Sequence, residues 1–352
     1  MKRVHIITLS LLLISLFHTN IVGHVSGRNY LNNNEPYIKR FDATNIKELK
    51  LCNKHGYIDL TSWDKNEIVI EVIVNVETTS YNESEKVLDF IRFRNRSYDH
   101  TLDFRTVFTK DFFANYPFTI NYNVKVPKHI KLSISNTIGD VRIRHIDGEL
   151  QLTQSYGKLE LKDIASDKNH ALNLSFVEGA IDSIGAVKAD FSNCTLNMSN
   201  GQSLKGKTNY CMASFVNIKN LNINSFTDRL TISNSDSLTL KGSHFIGKID
   251  QLNTYGFCEL ERGQLLVDVA ETIKELTISN KRVKTTVTIP HGVSYLLNGE
   301  VFNGTFTHPT PQLLQLFKEG DTVSFSGQLG HKTETPANLI LFNKNASITI
   351  KN

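Results

Sequence analysis

Four cysteines, Cys52, Cys194, Cys211 and Cys258, are the side chains in this 352-residue chain best suited to covalent or metal chemistry. No Cys-x-x-Cys spacing links them, so neither a zinc site nor a dithiol redox motif is expected. The sequence assigns no metal and no cofactor. Cys194 and Cys211 lie 17 residues apart, at one position of a repeat. Copies of that repeat stacked at strand spacing would bring their α-carbons to about 5 Å, inside the disulfide window. The pair is expected either as a disulfide or as two thiols on adjacent coils. Cys258 aligns with an inward leucine and reads as a small core residue.

The twelve histidines are scattered, with no His-x-x-x-His pair, and no Gly-x-Ser-x-Gly elbow occurs. Asp140, Asp147, Asp163 and Asp182 fall in turns, where aspartate is favoured because it bonds its own backbone. Acids in rows on stacked coils suit metal binding or acid/base work, but these four do not recur at one slot. No catalytic residue is assigned, no ligand-binding residue is identified, and the chain is expected not to be an enzyme. Tyr156, Tyr210 and Tyr255 are read at one repeat position just before a turn. Exposed, such rings would stack on sugars; packed, they would close a coil corner.

The elements that must position these side chains are visible as a period. Gly139, Gly148 and Gly157, nine residues apart, open the phrases Gly-Asp-Val-Arg-Ile, Gly-Glu-Leu-Gln-Leu and Gly-Lys-Leu-Glu-Leu. A glycine turn followed by apolar/polar alternation is a half-buried strand, and recurrence at a fixed period means that copies stack to bury one face. Asn-Gly hairpin signals occur only at Asn200-Gly201, Asn298-Gly299 and Asn303-Gly304, too few for an antiparallel sandwich. The expected fold is all-β, a parallel β-solenoid or β-helix. About nine coils at roughly 4.8 Å would make a rod on the order of 40 Å long. Val141, Ile143, Leu159, Leu161, Leu196, Met198, Leu230 and Ile232 are expected to point inward, and Arg142, Glu149, Lys158 and Glu160 outward.

The chain divides into four parts on this reading. Residues 1–27 form a signal peptide: Lys2 and Arg3 precede the apolar run Ile6–Phe17, which is too short to span a bilayer. Residues 28–131 form a nonrepetitive strand-rich N-terminal region with one short helix, capped by Asn82 or Ser84 and running through Ile91. The Arg92–Arg96 cluster is taken as its solvated end. Residues 132–290 carry the solenoid repeats. Residues 291–352 form a C-terminal closing region, with a short helix over Pro309–Leu316 and a terminal strand pair that covers the open end of the stack. Without Lys2 and Arg3, 37 of the 39 basic side chains face 35 acids. That near-balance argues against nucleic-acid and polybasic membrane partners.

Ordered pieces carry a resemblance: Gly56-Tyr-Ile-Asp-Leu60, Trp63-Asp64, the Ile68–Val76 strand, Tyr122-Asn-Val-Lys-Val-Pro127, Ile138-Gly-Asp-Val-Arg-Ile143 and Gly327-x-x-Gly330. Over residues 40–350 the chain resembles bacterial exported β-strand-repeat proteins, a group provisionally labelled adhesins and related to head-GIN adhesin-like domains of unknown function. Cys194, Cys211 and Ala346 stand where that pattern has glycine. The resemblance implies a β-solenoid and export to the periplasm or surface of a Gram-negative bacterium. The expected role is noncatalytic binding of an envelope protein or glycan, with no membrane span after signal removal. Two alternatives stay open: a carbohydrate-active β-helix lyase or hydrolase, and a purely structural or sensory envelope component.

Overall fold

Alternation with a period of two puts every second side chain of a strand on one face. The computed structural model describes residues 36–330 and 335–352 and shows where those side chains go. The signal peptide expected over 1–27 lies outside the described residues. The fold is all-β, one large and mostly parallel sheet with a single α-helix among the described residues.

Its central strands are β8 (Lys131–Asn136), β9 (Val141–Ile146), β10 (Leu150–Ile164), β11 (Asn169–Ser192), β12 (Thr195–Asn209), β13 (Met212–Phe226), β14 (Arg229–Val269) and β15 (Glu275–Thr288). β10 bends midway: Leu150–Gln154 pairs with β8, and Leu159–Ile164 pairs with β9. Each rung of the ladder therefore has two arms, one on each of two faces. Parallel partners lie 18 residues apart from β9 to β10 and 20 from β10 to β11. They lie 17 apart in the next three steps to β14, and 20 from β14 to β15. The nine-residue spacing of the glycines is thus half a rung. Gly139 and Gly157 share one column, where a Cβ on Gly157 would meet the Gly139 carbonyl oxygen at 2.4 Å. Gly148 lies on the other arm.

The alternation sorts as expected. Val141, Ile143, Leu159, Leu161, Leu196, Met198, Leu230 and Ile232 are at most 4% exposed. Arg142, Lys158 and Glu160 face solvent, and Glu149 is half-buried. Such stacking gives each rung only its neighbours to pack on, so the apolar column is continuous along the ladder.

Chain order departs from ladder order at both ends. β2 (Glu48–Asn53) and β3 (Ile58–Trp63) pair in parallel with β8 and β9. β6 (Thr101–Phe108) and β7 (Phe118–Pro127) lie on their other side. Beyond these come β5 (Ile91–Tyr98), antiparallel on β6, and β4 (Glu67–Val76) on β7, with β1 (Tyr37–Asp42) on β4. Helix α1 (Tyr81–Leu88) is capped by Ser80, whose hydroxyl accepts the Glu83 amide at 3.4 Å, and not by Asn82 or Ser84. It stops before Ile91, which starts β5. Arg92–Arg96 therefore sits on an edge strand, where charge discourages pairing with another chain.

At the far end, β16 (Tyr295–Phe302), β17 (Phe306–Thr307), β18 (Gln315–Glu319) and β19 (Thr322–Leu329) precede β20 (Ala337–Lys344) and β21 (Ile348–Lys351). The terminal pair does not cover the end. β20 inserts between β15 and β16, and β21 between β15 and β17. The edge is β18, exposed along its whole length and antiparallel to β19. Only Pro311–Leu313 of the expected helix is helical, as a 3₁₀ turn, and Leu316 belongs to β18.

Candidate functional site

Two arms per rung require one sharp corner between them, and backbone geometry marks it. Tyr156, Phe176, Asn193, Tyr210, Thr227, His244, Arg262 and Arg282 all have left-handed φ, between 53° and 66°. Their spacings follow the steps of the ladder register. A left-handed residue with a β-carbon costs about 1–2 kcal/mol, which the paired strands on either side must offset. The conformation also turns the side chain out of the core. Tyr156, Phe176 and Tyr210 are 52%, 50% and 60% exposed. Tyr156 and Phe176 stack on one another with ring centroids 4.9 Å apart and planes 7° off parallel, which is the rung spacing.

The corner borders a groove of about 760 Å³ on the second arms. Its columns follow from the register: Lys158, Glu178, Thr195, Met212 and Arg229 in one, and Arg142, Glu160, Ala180, Asn197, Ser214 and Thr231 in the next. Charge is concentrated at one end, where Asp140, Arg142, Lys158, Glu160 and Glu178 line the groove and Arg142 lies 3.7 Å from Glu160. The middle is uncharged, with amide and hydroxyl groups over a small-residue floor at Gly179 and Ala213. Met212 is 56% exposed at its rim. A second groove, about 1020 Å³, lies on the first arms and presents Gln151, Asn173, Lys188, Asp190, Lys205 and Lys207.

The acids singled out in the sequence do not converge. Asp140 accepts the Lys158 amide at 2.8 Å, a turn role. Asp163 lies 2.8 Å from His145 at a different turn, in a different column. Asp147 is exposed between β9 and β10, and Asp182, expected in a turn, is an exposed residue within β11. Among the described residues no group of three or more His, Cys, Asp or Glu is placed to hold a metal. Tyr156 and Tyr210 share the corner column, but Tyr255 does not: it pairs with Glu275 on the first arms. Phe176, overlooked in the sequence, takes the corner position between Tyr156 and Asn193.

Cys194 and Cys211 occupy one inward column beside that corner, between Val177 and Asp228. Both are buried free thiols. The neighbouring Cys211 holds the Cys194 thiol down at about 7, while Cys194 and burial drive the Cys211 thiol up. Cys258 is fully buried, and burial pushes its thiol up to about 12. Asp228 is buried too, and it collects the hydroxyls of Thr208 (2.5 Å) and Ser225 (2.6 Å) and the amides of Cys211 (2.7 Å) and Phe226 (3.1 Å). Four donors on one carboxylate satisfy a buried charge.

Sequence reasoning also missed an amide ladder at the turn between second and first arms. Asn217 donates to Asn200 at 3.3 Å, Asn234 to Asn217 at 3.5 Å, and Asn253 to Asn234 at 2.9 Å. The signal was available, since Asn200, Asn217 and Asn234 recur at the rung period of 17 residues.

No family model matches the chain, and no curated protein matches it. Solved structures similar to it include a protein provisionally named a cell adhesion protein from Clostridium sporogenes: 13% identity, 90% of this chain and 99% of that one covered, TM-score 0.24. A protein provisionally named an adhesin from Parabacteroides distasonis has 10% identity, covers 73% of this chain and 97% of its own, and has a TM-score of 0.39. A third, provisionally named a lipid-binding protein and from the same species, has 11% identity, coverage of 91% and 98%, and a TM-score of 0.30. No helix among the described residues is long and apolar enough to cross a membrane.

Proposed function

We propose that this chain is an exported, noncatalytic β-solenoid of about nine coils that binds a glycan of the bacterial envelope through its aromatic corner. The repeated parallel register at 17 to 20 residues supports the solenoid reading. The basic pair Lys2-Arg3 and the apolar run Ile6–Phe17 support export.

One observation carries the binding assignment: the Tyr156–Phe176 stack is half-exposed and held by left-handed backbone. The left-handed corner recurs at every rung and is structural; what sets Tyr156 and Phe176 apart is that it turns two stacked rings out to solvent on adjacent rungs. Pyranose rings present C–H faces to aromatic rings, and their hydroxyls need amide and hydroxyl partners. Thr195, Asn197 and Ser214 supply these in the uncharged middle of the adjoining groove.

Affinity electrophoresis of the chain through gels containing envelope, plant and algal polysaccharides tests this reading, with new reducing ends and unsaturated products measured in parallel. Retardation by at least one polysaccharide without product release is expected. Release abolished by mutating one surface acid would establish a lyase or hydrolase instead. Retardation by none, with capture of an envelope protein, would move the assignment to a protein partner.

A further inference from the structure

We propose that Cys194 and Cys211 are a covalent modification site, closed as a disulfide between adjacent rungs by exchange with a disulfide donor during folding. The register puts Thr195 opposite Met212 and Leu196 opposite Ala213, so Cys194 and Cys211 are direct neighbours in the same column. Parallel neighbours lie about 4.8 Å apart, within the α-carbon range that a disulfide spans without backbone movement. Both side chains point into the same dry interior, each 2% exposed. The Cys194 thiol reaches the carbonyls of Ser192 at 3.2 Å and Leu174 at 3.4 Å, and the Cys211 thiol reaches Asn209 at 3.4 Å. A thiol is a weak donor even to a carbonyl oxygen, so oxidation gives up little hydrogen bonding.

The exchange runs in two steps while the chain is still open. The Cys194 thiolate attacks one sulfur of the donor disulfide, giving a mixed disulfide and one donor thiolate. Cys211 then loses its proton and attacks the Cys194 sulfur, which expels the second donor thiolate. Two cysteine thiols and one donor disulfide become one intrachain disulfide and two donor thiols. In the folded ladder neither sulfur is open to a large reagent, so exchange belongs to the stage before the rungs close. Cys52 lies far along the ladder on β2 and Cys258 is fully buried on another arm, so neither competes.

The test is refolding of the full chain in glutathione buffers of graded oxidised-to-reduced ratio, followed by quenching with a thiol-alkylating reagent under denaturing conditions and peptide mass mapping. In oxidising buffer the expected result is alkylation of Cys52 and Cys258 only, with a linked peptide pair containing Cys194 and Cys211. Cys194→Ser and Cys211→Ser should each leave the remaining partner alkylated. Four alkylated cysteines at every ratio would overturn the proposal, as would glutathione held stably on Cys194, or a link through Cys52 or Cys258. Refolding of Cys194→Ala/Cys211→Ala, which keeps the column apolar, separates failure to fold from failure to oxidise.

Discussion

Asp228 accepts the Cys211 amide at 2.7 Å from the next rung of the ladder, so a buried carboxylate stands where neighbouring rungs carry thiols and earlier rungs carry glycine. Its other donors come from Thr208, Ser225 and Phe226. Replacing it by alanine leaves two hydroxyls and two amides without their acceptor. Each orphaned buried donor costs about 1–3 kcal/mol. Asp228→Ala should therefore destabilise the chain by about 3 kcal/mol or more, and Asp228→Asn by clearly less. Urea unfolding of the three proteins checks this. Equal midpoints for wild type and Asp228→Ala would refute the role given to the carboxylate.

Burial of alternate side chains gives a second expectation. Leu159 and Leu230 are 3% and 1% exposed, whereas Lys158 and Arg229 face solvent. Leu159→Asp or Leu230→Asp should cost more than about 4 kcal/mol or prevent folding, because each buries an unpaired charge. Lys158→Ser and Arg229→Ser should stay within about 0.5 kcal/mol of wild type. Circular dichroism melts distinguish the two sets. Equal costs would mean that the register is wrong.

Acid should weaken the fold through His170. Its Nδ1 accepts the Leu150 amide at 3.1 Å and its Nε2 donates to the Ala165 carbonyl at 2.8 Å, so the buried ring is neutral. Burial lowers its pKa below the ordinary 6.5. The unfolded chain therefore takes up the proton first, and this contribution is complete above about pH 6.5 and declines as pH falls below it. His308 is lowered by burial in the same direction. The unfolding midpoint of the wild type should drop between pH 7 and pH 5, and His170→Asn should reduce that slope. An unchanged slope would show that His170 is not the group responsible.

The period of two and the half-rung spacing of Gly139, Gly148 and Gly157 made the strands, their inward faces and the parallel stacking legible. The corner was not legible, because its left-handed position accepts Tyr, Phe, Asn, Thr, His and Arg alike and so carries no residue-type signal. Steps of 17, 18 and 20 residues also let a count from glycine markers slip. Gly179 drew attention away from Phe176, and Tyr255 was placed at a corner although the nearest corners are His244 and Arg262. Short helices failed for a different reason. Around Ile91 and Leu316, pairing with β6 and β19 outweighed local helical pattern.

The glycan assignment rests on the Tyr156–Phe176 stack, and the decisive measurement is the dissociation constant of the retarding polysaccharide for wild type and for Tyr156→Ala/Phe176→Ala. Both side chains are half-exposed, so the double variant should fold with an unchanged melt. Loss of two ring contacts should weaken binding by about 1.4–2.8 kcal/mol, roughly ten- to hundredfold. An unchanged dissociation constant in a folded double variant would contradict the aromatic corner as the binding site.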